Sequence, residues 1–131
     1  MRQRLELSPR SPASPLLWFA VLGAPAAWAL QFGVGYWLSN AQCSATGGHW
    51  SIALDTWAIV VGILAFLTAT ASGATAVALF RRTAEAEEED APPSGRIHFL
   101  AIVGMTVTPL FLCLIAMTAA GTIVLFPCNQ S

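Results

Sequence analysis

Lysine is absent from this 131-residue sequence, and charged residues together make up only 10% of it. Soluble domains carry about a quarter of their residues as charges, so the chain has too little polarity to cover a water-facing surface. The same shortage excludes a nucleic-acid partner: six dispersed arginines form no cationic face, and the acidic run "EAEEED" would repel phosphate. Histidine is scarce as well, with His49 and His98 alone. They flank different apolar segments near opposite membrane interfaces, so they cannot hold one metal together. The short alternating strands of a membrane β-barrel are also missing.

What the sequence does have is apolar length. Hydrophobic residues make up 56% of it, and three nearly charge-free runs cover residues 16–38, 56–80 and 97–126. Each exceeds the roughly 20 residues that a helix needs to cross a bilayer core about 30 Å thick. The expected fold is therefore all-α, an integral membrane bundle of three transmembrane helices. Residues 1–15 are expected as a cytoplasmic segment, 39–55 as an outer loop, 81–96 as an acidic cytoplasmic loop and 127–131 as an outer tail. A cleaved signal peptide competes for the first run, which is too long for a typical signal and is read as retained.

Orientation follows from the arginines. Arg2, Arg4 and Arg10 precede the first run, Arg81 and Arg82 follow the second, and Arg96 precedes the third. All six then share one side, and the positive-inside rule makes that side cytoplasmic, giving little weight to the acids. Cys43 and Cys128 emerge together on the outer face, where a disulfide between them persists if the compartment is oxidising. Two unpaired outer thiols remain the alternative, because spacing in sequence does not set the Cα separation. Cys113 falls deep in the third run.

Within the runs, small residues recur at helical spacing. Gly23 and Ala27 lie four apart in the first run, and Ala65, Ala69 and Gly73 continue that interval in the second. Such residues let helix backbones approach closely, so these five are the candidate packing positions. Pro25 is expected to bend the first helix. Gln31 is its one strongly polar side chain; its amide is read as bonding another helix, with a cofactor, quinone or proton path as the alternative. Asp55, at the start of the second run, suits the positive end of a helix dipole, with proton transfer or ligand binding as its other reading. Met105, Pro109, Cys113 and Met117 share one face of the third run. Their sulfurs suit Cu(I), yet only Cys113 and Met117 are neighbours, so packing beside a proline bend explains the stripe better. The residues supply no catalytic acid, base and nucleophile set, and no cofactor or metal is expected.

The run "LLWFAVLGAPAAWALQFGVGYWL", with Trp18, Gly23, Pro25, Trp28 and Gln31, followed by the outward Cys43, resembles small three-helix bacterial membrane proteins encoded beside haem-copper oxidase genes. That resemblance implies a multi-pass protein of the bacterial inner membrane, acting as a non-catalytic accessory subunit or assembly factor. Its partners would be the lipid bilayer and a larger respiratory complex, or further copies of itself. A small oligomeric transporter or channel component is the alternative, with Gln31 and Asp55 lining an aqueous path. A membrane enzyme ranks third.

Overall fold

A computed structural model describes residues 13–43, 54–84 and 93–125. They form three helices: α1 (Ala13–Cys43), α2 (Leu54–Ala84) and α3 (Pro93–Val124). Each contains a span long and apolar enough to cross a membrane, Pro15–Ala41, Thr56–Ala84 and Gly95–Val124. Only 22% of each spanning window is buried. Trp18, Leu30, Phe32, Trp37, Phe66, Phe99 and Leu110 all turn outward. Water would penalise so much exposed apolar surface, and lipid does not. The chain is a multi-pass membrane protein.

The helices outrun the apolar stretches that announce them. α1 continues through residues 39–43, and Arg81 and Arg82 form the last turn of α2 rather than the start of a loop. Arg96 likewise belongs to the first turn of α3, which begins at Pro93. Proline is well suited to that first position, where its missing N–H is no loss. A helix of 31 residues is about 46 Å long, against a hydrocarbon core of about 30 Å. Hydropathy marks only the part that needs lipid, and the polar ends continue the same hydrogen-bond ladder into the headgroup region. Ser39 adds to it by donating to Gly35 O at 2.9 Å. α1 and α3 run without interruption through Pro25 and Pro109.

All three helix pairs touch. Gly104 of α3 meets Ala20 of α1, and Gln31 meets Ile115 eleven residues further along both chains, so α1 and α3 run in the same direction. α2 runs against them, with Ser72 on Ala20 and Gly62 beside Gln31. The start of α1, the end of α2 and the start of α3 thus share an arginine end. Cys43 marks the opposite, cysteine end.

The core is made of small side chains. Ala24 and Ala27 of α1, Ala65 and Ala69 of α2 and Ile115 of α3 form one buried cluster, with Trp28, Phe111 and Leu112 packed against it. Lipid tails are as apolar as leucine, so burial alone drives little association in the bilayer; close van der Waals contact and interhelical hydrogen bonds must supply it. Three glycines make the closest contacts. A Cβ on Gly23 would lie 2.8 Å from Ser72 Cβ, one on Gly73 2.7 Å from Thr108 Cγ2, and one on Gly104 2.8 Å from the backbone oxygen of Ala20. The expected packing residues Gly23, Ala27, Ala65, Ala69 and Gly73 are thus all engaged within the chain itself.

Candidate functional site

The polar centre of the bundle is Gln31, which is only 6% exposed. Its amide Nε2 donates to Ile115 O on α3 at 3.3 Å. The amide oxygen Oε1 is buried and has no hydrogen-bond partner among the described residues, and the same holds for Trp28 Nε1 one turn earlier. A donor and an acceptor, both stripped of solvent, are therefore left on one stretch of α1. Each such group costs about 1–3 kcal/mol. Aromatic packing holds the indole in place: it stacks on Phe32 at a centroid distance of 5.7 Å and meets Phe111 edge-on at 5.8 Å.

Gly62 and Ile115, which both adjoin the Gln31 amide, also line an outward groove between α2 and α3. This groove encloses about 270 Å³. Ala58, Ala116 and Ala119 leave its floor shallow in side chain, while Ile63, Phe66 and Ile123 add bulk to its lining. Here the helices stand further apart than at the arginine end. A Cβ on Gly62 would be 3.7 Å from both Ala119 Cβ and Gln31 Nε2, an ordinary contact.

Two further polar side chains, Ser72 and Thr83, tie the other helix pairs. Fully buried Ser72 of α2 donates to α1, with Phe19 O at 2.9 Å and Ala20 O at 3.2 Å. Near the arginine end, Thr83 Oγ1 and His98 Nδ1 lie 3.2 Å apart, and the His98 ring stacks on Phe80 at 4.8 Å. Neither cross-link was expected from the sequence, in which Ser72 drew no separate reading and His98 stood as an interfacial residue. The signal available was that both are polar side chains in otherwise apolar helices, where inward orientation is the rule. The exposed hydroxyls of Thr68, Thr70 and Thr118 make no such link and donate to their own helix four residues back.

The remaining candidates separate. Asp55 is in the first turn of α2, but its side chain lies outside the described residues. The sulfur stripe of α3 is largely turned outward: Met105 is half-buried, but Cys113 is an exposed free thiol and Met117 is 73% exposed. Pro109 is exposed with them, because this face turns away from α1 and α2. Cys43 closes α1 and does not carry a free thiol. Cys128 and His49 lie outside the described residues. Among the described residues, no three His, Cys, Asp or Glu side chains stand close enough to hold a metal ion.

No protein-family model, curated protein or solved structure matches this chain.

Proposed function

We propose that the chain is a non-catalytic accessory subunit or assembly factor of a larger respiratory membrane complex. The α2/α3 groove at the cysteine end carries this reading. The chain's closest glycine contacts are already spent on its own fold, whereas the floor around Ala58, Gly62, Ala116 and Ala119 stays open and flat enough for a partner helix to approach. Behind it lies the Gln31 amide, a buried polar group kept at an energetic cost, which in a membrane marks a place of use. The resemblance to proteins encoded beside haem-copper oxidase genes points to such an oxidase as the complex. In this reading the chain's arginines support a cytoplasmic N-terminus and a cytoplasmic connection after α2 in a bacterial inner membrane, with the C-terminus and a Cys43–Cys128 disulfide on the outer face.

The transporter reading fits less well, since Gln31 is turned into the bundle and bonded to α3 rather than facing a path between chains. A photo-crosslinking residue placed at Ile63 in the groove, with Leu30 as an exposed control on α1, tests the proposal. Ile63 should capture an oxidase component in intact membranes, and Leu30 should not. A protein that purifies as a free monomer in mild detergent, with no oxidase subunit captured from either position, would rule the proposal out.

A further inference from the structure

A second groove lies on the opposite side of α2, at the arginine end. It encloses about 350 Å³ and is lined by Leu16 of α1 and by Ala74, Thr75, Ala78, Leu79 and Arg82 of α2. Ala74, Ala78 and Arg82 succeed one another every four residues, so this trough follows the helix for two turns, about 12 Å. Its inner part, along Leu16, Ala74, Ala78 and Leu79, is apolar. The Thr75 hydroxyl makes no demand on an occupant, because it donates to Ala71 O at 2.8 Å. At the water-facing end stands Arg82, exposed, in the last turn of α2. Among the described residues it has no hydrogen-bonding or ionic partner.

A hydrocarbon trough ending in an exposed guanidinium matches one kind of molecule. We infer that this groove binds an anionic phospholipid, with an acyl chain lying along Ala74 and Ala78 and the phosphate held by Arg82. Arginine suits that role, since its planar fork offers paired donors to phosphate oxygens. Neighbouring Arg81 does not line the groove, so it contributes to the general cationic rim but not to the bound lipid. The inference is independent of the partner complex and of which leaflet the arginine end occupies, because both leaflets present phosphate at that depth.

The experiment is a lipid titration of the full-length protein in detergent, with bound lipids counted by native mass spectrometry. Phosphatidylglycerol should bind as one saturable copy, about fivefold more tightly than phosphatidylcholine of the same chain length, the advantage expected of one cation beside an anionic lipid. Arg82→Gln should bring the two lipids to within roughly twofold, while Arg81→Gln leaves the preference in place. Ala78→Trp, or Ala74→Leu if the larger change prevents folding, should remove saturable binding of both lipids. Glycerol phosphate, which carries the headgroup chemistry without chains, should not compete.

Equal affinities for the two lipids would overturn the inference. So would an equal loss of preference in Arg81→Gln and Arg82→Gln, which would indicate a diffuse cationic rim. Competition by glycerol phosphate would point instead to a free-anion site. Binding that emerges only after removal of residues 1–10 would show that the chain's own N-terminal segment fills the groove.

Discussion

The two halves of the bundle are held together differently. Towards the arginine end, glycines let the helices approach closely: Gly104 fits between Ala20 O and Ala76 Cβ, Gly23 against the Ser72 side chain, and Gly73 against the Thr108 side chain. Towards the cysteine end the separation is taken up by larger groups, Trp28, Phe111, Ile115 and the Gln31 amide, and the glycines there have room to spare. Gly33, Gly35 and Gly121 have nothing within 4 Å of where a Cβ would stand. One half is specified by size, with no room for an added methyl group at Gly23, Gly73 or Gly104. The other tolerates change, carries the buried polar atoms that lack partners, and opens the groove proposed for a second protein. Stability and partner recognition are thus assigned to different lengths of the same three helices.

Glycine substitutions break this comparison most directly. Gly104→Ala should lower stability by about 2–3 kcal/mol, because the new methyl group meets a backbone oxygen that cannot move aside. Gly62→Ala should change it by less than about 0.5 kcal/mol, as its Cβ enters an ordinary contact. Reversible unfolding in mixed detergent measures both, and equal effects would erase the distinction between the halves. Ser72→Ala should cost about 0.6–1.7 kcal/mol, the range for an interhelical hydrogen bond in a membrane.

Gln31→Leu sharpens the comparison by separating stability from use. Removing the amide forfeits one bond to Ile115 O but also removes an unpartnered buried oxygen, so the variant should be unchanged or up to about 1 kcal/mol more stable. Its recovery with the partner complex should nevertheless fall. Losing both stability and partner would return Gln31 to a purely structural role. The smallest effects concern the ends. A cytoplasm-active reporter fused after Glu88 should work, and one fused after Ser131 should not. In unreduced membranes a permeant maleimide should label Cys113 alone, with a linked Cys43/Cys128 peptide pair recovered by mapping.

Much of this architecture was legible in the sequence because the bilayer imposes length. Three long runs without charge leave few alternatives to three spanning helices, and the four-residue spacing from Ala65 through Ala69 to Gly73 marks a packing surface. What the spacing could not say is whose helix it packs against. In a soluble helix, polarity separates the buried face from the solvated one. Here both faces are apolar and only side-chain size differs, so a small-residue strip reads the same whether its neighbour is in this chain or another. Gly23 and Gly73 therefore marked packing positions without naming the neighbour, which the structure gives as Ser72 and Thr108. Gln31 was readable as an interhelical amide because it stands alone. The double reach of Ser72 to Phe19 O and Ala20 O was not, since serine at a close contact looks like one more small residue.

The seat of Gly104 bears on how the protein is assembled during synthesis. Its two nearest neighbours come from different helices, Ala20 from α1 and Ala76 from α2. A ribosome delivers α1 and α2 to the membrane first, and the Ser72 hydroxyl already joins those two into a hairpin. α3 then finds a cleft whose two walls are in place, and its glycine drops between them. The order of translation and the order of packing coincide, so no earlier pairing has to be undone when the last helix arrives. A chain halted before α3 would keep its hairpin but display an open cleft to the insertion and quality-control machinery.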